Sequence, residues 1–105
     1  MQIGIFAVGR LKSGPEKELV ARYLDRLKKT GKAQGLDFSK VIEVNESRAG
    51  NAATRKREEA AALEAAISPE TVLVLLDETG KSFDSVGFAG QIEKFRDAGK
   101  REMMF

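Results

Sequence analysis

The third quarter of the chain contains the run Val72-Leu73-Val74-Leu75-Leu76, followed by the polar segment Asp77-Glu78-Thr79-Gly80-Lys81. Five consecutive Val and Leu residues are typical of a strand buried on both faces, because a half-exposed strand alternates apolar and polar residues. The segment after the run supplies turn residues that end a strand. The run therefore predicts one strand of a parallel sheet, which needs helices on its faces.

Upstream of this run, the pattern predicts two further strands and two helices. Ile3–Val8 is a short apolar run closed by a glycine, and Phe38–Val44 is a second one. A helix is predicted between them from Pro15 to Gly31, since proline suits the first helical position and glycine commonly follows the last. A long alanine-rich helix is predicted from about Asn51 to Ile67.

Downstream, a third helix is predicted with Asp84 or Ser85 as its cap and Gly99 at its end, and a fourth strand begins at about Glu102. The order βαβαβαβ predicts an α/β fold, with a mostly parallel sheet and helices on both faces. We interpret residues 1–105 as a single α/β domain truncated at the fourth strand, because Glu102–Phe105 opens an apolar strand that no polar segment closes. Such an unfinished strand is expected to expose an edge and to favour a homo-oligomer.

Composition excludes several kinds of site. The chain has 42% hydrophobic and 32% charged residues, as ordinary globular proteins do. It contains neither cysteine nor histidine, which excludes disulfides, thiolate catalysis and the commonest metal ligands. No apolar run approaches the roughly 20 residues needed to cross a bilayer, and no signal peptide is recognisable. We therefore expect a cytoplasmic protein with no metal and no membrane partner.

Two loops are candidate binding sites. Gly9 and Gly14 have the glycine spacing of a Walker loop, but Pro15 and Glu16 stand where that motif needs lysine and a hydroxyl residue, so we reject an NTPase. After the run at 72–76, one interpretation is a tight turn with a positive φ angle at Gly80. The other is a pocket at the strand end, lined by Leu76.

No catalytic group can be assembled from the residues alone. Asp77 and Glu78 are adjacent on an extended segment and point to opposite sides, which argues against an acid–base pair. Tyr23 lies on an apolar helical stripe and is interpreted as a core residue. The catalytic residues are therefore left unknown.

Two groups of cations leave an alternative open. The first group lies in the first helix and just after it, and it comprises Arg22, Arg26, Lys28, Lys29 and Lys32. The second group lies in the connection after the second strand, and it comprises Arg48, Arg55, Lys56 and Arg57. They are interpreted either as solvated helix faces or as a footprint for a phosphate backbone, which needs only a few well-placed cations. A net charge of +2 does not decide between these two interpretations.

Four segments in order resemble the RlmH family, the ribosomal RNA large subunit methyltransferases of the SPOUT (α/β-knot) class. These segments are Ile5–Lys12, Tyr23–Leu27, Val41–Val44 with its basic loop, and Leu75–Lys81 leading to Ser82, Phe83, Phe88 and Ala89. The resemblance covers the N-terminal two-thirds of the family.

The resemblance implies a homodimeric enzyme that transfers a methyl group from S-adenosylmethionine to N3 of a pseudouridine in 23S rRNA. It implies that Leu76 contacts the cofactor, while Asp77 and Gly80 are candidates by proximity only. The family's C-terminal knot has no counterpart in these residues, so this chain alone is expected to be inactive. The alternative is a non-catalytic α/β module that binds RNA or protein.

Overall fold

The computed structural model describes residues 1–105 and contains four strands and three α-helices. Along the chain these are β1 (Gln2–Val8), α1 (Pro15–Gly31), β2 (Asp37–Val44), α2 (Ala52–Ala66), β3 (Val72–Leu73), α3 (Ser85–Asp97) and β4 (Glu102–Met104). The predicted order βαβαβαβ is confirmed. None of the helices combines the length and the apolar composition that crossing a bilayer requires.

The four strands form one sheet in the order β2-β1-β4-β3, and all three strand pairs are parallel. The best-buried side chains lie where the two central strands meet. Ile3 is opposite Met103, and the relative exposures of Ile3, Met103 and Met104 are 4%, 1% and 0%. The core is therefore centred on β1 and β4.

The helices cover both faces of the sheet, as predicted. The register places Ile5, Val41 and Val72 on one face and Phe6 and Leu73 on the other. α1 and α3 lie against the first face, and α2 alone lies against the second. This division follows from right-handed crossovers, because β2 connects to β3 in the opposite direction from the other two connections.

The first helix has the predicted bounds, Pro15–Gly31, but Gly31 does not end it in a left-handed conformation. It runs through Gly31 into a 3₁₀ turn at Lys32–Gln34, and the left-handed residue that stops it is Gly35, with φ 71°. Gly31 is helical and buried, and a Cβ built there would lie 2.6 Å from the carbonyl oxygen of Leu36. This glycine is required by close packing of the backbone, so its interpretation as the stop was wrong.

The third strand is shorter than its apolar run. Ladder pairing covers only Val72 and Leu73, and the Val74 amide adds one further hydrogen bond to the Met104 carbonyl at 2.8 Å. β3 is an edge strand whose single neighbour is the short β4, which limits its paired length. Leu75 and Leu76 are consequently 71% and 77% exposed.

The prediction that the fourth strand exposes a free edge of the sheet is wrong. β4 is an interior strand, because it pairs with β1 on one side and with β3 on the other. Even Phe105 takes part, since its carbonyl accepts the Phe6 amide at 2.7 Å. The free edges of the sheet belong to β2 and β3, so the argument for association through β4 does not hold.

The apolar stripe of α1 is only partly covered. Leu24 and Leu27 are half-buried, whereas Tyr23, predicted to lie in the core, is 59% exposed, and Leu19 is 49% exposed. α3 follows its prediction more closely. Asp84 caps it, and the Phe88 ring lies 5.8 Å from the Phe105 ring at the sheet.

Candidate functional site

Three loops meet at the carboxyl edge of the parallel sheet. They follow β1, β2 and β3 and comprise residues 9–14, 45–51 and 74–84. In open α/β sheets, ligands bind beyond this edge, where loops from several strands converge. These loops and the helix starts that follow them therefore form the candidate region for a ligand site.

An apolar cleft of about 480 Å³ lies between α2 and the carboxyl half of the sheet, and we call it the α2 cleft. Eleven of its twelve lining residues are hydrophobic, and Glu59 is the exception. α2 contributes Glu59, Ala60 and Leu63 to this lining. A cleft of this size and polarity suits one flat, apolar part of a small molecule.

Leu76 lines the α2 cleft on its solvent side. Its side chain is 77% exposed, which is unusual for a leucine that directly follows a sheet strand. The sequence predicted Leu76 at a pocket on the strand end, and the structure has such a pocket there.

The loop after Leu76 closes on the carboxylate of Asp77. Its Oδ1 accepts the Thr79 amide at 2.9 Å and the Thr79 hydroxyl at 3.0 Å. The hydrogen bond from the Thr79 amide, followed by that from its hydroxyl, lowers the pKa of Asp77. Asp77 is thus held as a carboxylate that shapes the turn.

Gly80 does not have the positive φ angle that the tight-turn interpretation required. A Cβ at this position would lie 3.0 Å from the Asp77 carbonyl oxygen, which also accepts the Gly80 amide at 3.0 Å. The glycine is explained by this close approach. Neither Asp77 nor Gly80 lines the α2 cleft.

The loop between β2 and α2 is fastened by side chains of the helix itself. Glu59 Oε1 accepts the Ser47 amide at 3.1 Å, and Glu58 accepts the Ser47 hydroxyl. Arg55 donates to the Ala49 carbonyl at 3.0 Å, while Asn51 caps the helix through the Thr54 amide. The only carboxylate in the α2 cleft is therefore engaged in holding this loop.

The loop after β1 is also satisfied internally. The Leu11 amide donates to Glu43 Oε2 at 2.8 Å, and Arg10 Nε donates to Asn45 Oδ1 at 2.9 Å. An amide donor that already binds a carboxylate is unsuited to cradle a phosphate, in line with the rejection of a Walker loop. No group of three or more acidic side chains lies close enough together to hold a metal ion.

Sequence reasoning identified Leu76 but not its partners across the α2 cleft. Phe6 and Val8 come from β1, and Glu59 and Leu63 come from α2, far from Leu76 in the chain. They meet because the connection from β2 to β3 passes over both central strands. No local pattern carries this information, although the alanine-rich face of α2 indicated close packing on the sheet.

Comparison with known proteins finds relatives that match nearly the whole chain. Residues 1–105 match a family model described as predicted SPOUT methyltransferase. The chain is 64% identical over 104 residues to a protein of Agrobacterium fabrum named ribosomal RNA large subunit methyltransferase H. Proteins of the same name from Sinorhizobium fredii and Rhizobium etli are 60% and 63% identical.

These matches cover 98–99% of this chain and 64–65% of each relative. The chain thus spans about 65% of the length of the curated relatives it matches. The parallel sheet, the helices on both faces and a match over every residue agree with the resemblance found in the sequence. The chain belongs to the SPOUT methyltransferase family.

Proposed function

We propose that this chain is part of an enzyme that methylates the RNA of the large ribosomal subunit. The observation that carries the proposal is the identity of 64% over 104 residues to a relative named for that activity. The matched region includes the loops at the carboxyl edge, because it covers 99% of the chain. An rRNA substrate would place the protein in the cytoplasm.

We further propose S-adenosylmethionine as the methyl donor and the α2 cleft as one wall of its site. The apolar lining and the exposed Leu76 fit a flat, apolar part of the donor, such as one face of its adenine ring. The lining offers almost no free polar atoms for the amino acid part of the donor. We therefore expect these 105 residues to bind the donor weakly on their own.

The proposed acceptor is N3 of a pseudouridine in 23S rRNA. This imide nitrogen must lose a proton, and methyl transfer needs an in-line arrangement of donor and acceptor. Among the residues of the α2 cleft, only Glu59 could take a proton, and it already accepts a hydrogen bond from Ser47. We assign no catalytic residue and expect the 105-residue chain alone to transfer no methyl group.

A homodimer is part of the same proposal. The support is the exposed apolar surface of α1, which includes Leu19 and Tyr23 at 49% and 59% exposure, one helical turn apart on the same face. Contiguous apolar surface of this kind marks interaction sites in folded proteins. The basis is this helix face, and not the edge of β4.

The experiment that tests the function joins this chain to the part of the Agrobacterium fabrum relative that lies outside the match. The chimera and the 105-residue chain are each incubated with radiolabelled S-adenosylmethionine and ribosomes from a strain lacking this methylation. We expect the chimera to label 23S rRNA at one pseudouridine and the chain alone to give no label. A chimera that folds but leaves every rRNA unlabelled would contradict the proposal.

Leu76 is tested in the same chimera. Leu76→Asp places a charge on the apolar wall, and we expect at least about a tenfold loss in donor affinity by calorimetry. Val86→Asp is the matched control, because Val86 is equally exposed and lies outside the α2 cleft. Equal effects of the two substitutions would show that Leu76 is not part of the donor site.

A further inference from the structure

Four cations lie on the connection from β2 into α2, namely Arg48, Arg55, Lys56 and Arg57, and we call them the basic patch. Residues 47–57 contain no acidic residue. Arg48, Lys56 and Arg57 are exposed, and Arg55 is half-buried. The patch therefore presents a local excess of positive charge on a chain whose net charge is only +2.

Three of these cations lie within the first two turns of α2. The amino end of a helix carries partial positive charge, so acidic residues in the first turn stabilise it and basic residues do the opposite. α1 follows this rule, with Glu16 and Glu18 in its first turn and lysines in its last. The first turn of α2 has no acidic residue and ends at Arg55. The basic patch thus gains no stability from the helix dipole, and no carboxylate of the first turn offsets its charge.

The nearest carboxylates on α2 do not neutralise the patch through ion pairs. Glu58 and Glu59 accept hydrogen bonds from Ser47, and no ion pair forms between them and the four cations. Arg55 donates to the Ala49 carbonyl and so shapes the loop. Arg48 and Lys56 have no protein partner, which leaves them free to bind an anion.

Three of the five cations of α1 and its exit have contacts within the protein. Lys29 pairs with Asp25 at 2.7 Å, Arg26 stacks on the Tyr23 ring at 5.4 Å, and Lys28 lies over the Phe38 ring at 5.5 Å. These contacts explain the three as a solvated helix face, and the remaining two, Arg22 and Lys32, are separated by about 15 Å along the helix and form no cluster. Of the two alternatives that the sequence left open, the footprint for phosphates is thus favoured only at the basic patch.

We propose that the basic patch holds backbone phosphates of the RNA substrate and so positions the target strand beside the α2 cleft. Glu59, which lines the cleft, lies four residues after Arg55, one helical turn or about 6 Å away. Phosphates bound to Arg48 and Lys56 would thus lie at the entrance of the cleft. This inference rests on the proposed function, and it identifies positioning residues, with no role in the chemical step.

The test measures binding of the 105-residue chain to a stem-loop of large-subunit rRNA by fluorescence anisotropy at several salt concentrations. The patch variant combines Arg48→Gln, Lys56→Gln and Arg57→Gln, and it keeps Arg55 because that side chain holds the loop. The control variant combines Arg22→Gln, Lys32→Gln and Lys100→Gln. It removes the same charge from three exposed, separated positions.

We expect the patch variant to bind about tenfold more weakly and the control variant within about twofold of the wild type. Each phosphate contact contributes about 0.7 to 0.9 to the slope of log K against log salt, so the slope should flatten by about 2 in the patch variant only. The unfolding midpoint of the patch variant should stay constant or rise, since cations are removed from a helix start.

Equal losses in the two variants, or a wild-type chain that does not bind the stem-loop, would overturn the inference. The wild type could also bind a DNA duplex as tightly as the stem-loop, with the same loss in the patch variant. The patch would then bind polyanions in general, which would contradict a role specific to RNA. The methylation assay of the chimera is independent of these results. If the chimera is active but the patch variant binds RNA as tightly as the wild type, the inference is rejected and the proposed function is retained.

Discussion

Gly31 shows how one residue can be required for a reason that its neighbours in sequence do not reveal. A Cβ at this position would lie 2.6 Å from the Leu36 carbonyl oxygen, a backbone atom that cannot rotate away. We expect Gly31→Ala to destabilise the fold by about 2 kcal/mol, because overpacking outweighs the gain in helix propensity. Urea unfolding followed by circular dichroism measures this change.

Gly90 is the matched control for that substitution. It also lies inside a helix, α3, but nothing stands within 4 Å of the position of its Cβ. Gly90→Ala should therefore stabilise the protein by about 0.5 to 1 kcal/mol through helix propensity. Destabilisation by both substitutions would mean that the packing around Gly31 is not the cause.

Asp77 provides a prediction about pH. Its pKa is lowered by the Thr79 amide and then by the Thr79 hydroxyl, so the carboxylate supports the turn above the pKa of the unfolded chain. That support is lost as the pH falls through the lower pKa of the folded state. The chemical shift of the Thr79 amide should report this transition at a pH below that of an ordinary aspartate.

Substitutions at Thr79 separate the two hydrogen bonds of Asp77. Thr79→Ala removes the hydroxyl but keeps the amide, so the midpoint should move part of the way towards the ordinary pKa of aspartate. Thr79→Ser keeps both donors and should leave the midpoint unchanged. If the midpoint is the same in all three proteins, the hydroxyl has no share in the shift.

At the scale of elements, the start of α3 depends on one side chain. Asp84 Oδ1 accepts the Gly87 amide at 2.7 Å, and a Cβ at Gly87 would lie only 2.9 Å from the same oxygen. Asp84→Ala should cost about 1 kcal/mol of unfolding free energy, since the cap is lost. Asp84→Asn keeps an acceptor and should cost a few tenths, so equal losses in chemical denaturation would contradict this role.

The elements that could be predicted are those whose ends depend on local chemistry. The helix starts at Asn51 and Asp84 are predictable because such side chains cap helices, and in the structure each binds the amide three residues later. The bounds of α1 are as predicted, but the reason for Gly31 could not be predicted, because its buried state depends on Leu36, which lies outside the helix. The length of β3 was misjudged because pairing depends on its neighbour in the sheet, a property of topology.

The residues of the candidate site also differ in whether local sequence could predict them. Leu76 could be predicted from the strand end and from the resemblance, since both are read along the chain. Its partners Phe6 and Glu59 could not, because the strand order β2-β1-β4-β3 brings them together. The cations were visible in the sequence, but only their contacts separated the paired group on α1 from the unpaired basic patch.

At the scale of the whole molecule, the exposed surface is larger than a compact protein of this mass would have. The accessible area is 7996 Å², against about 5800 Å² for a compact monomer of 11.5 kDa. The radius of gyration is 15.0 Å, against about 13 Å for 105 residues. The excess, about 2000 Å² on one chain, is on the scale of the largest obligate interfaces, which bury roughly 2000 to 5000 Å² over both partners.

This excess predicts that stability depends on protein concentration. Only five of 105 residues are buried, so a single chain has little apolar burial to offset the entropy of folding. Self-association that covers Leu19 and Tyr23 on α1 would add such burial and stabilise the folded state by mass action. The midpoint of thermal unfolding should therefore rise across a hundredfold range of concentration, with a matching increase in sedimentation coefficient. A constant midpoint together with a monomer at every concentration would show that the exposed surface does not bind a second copy.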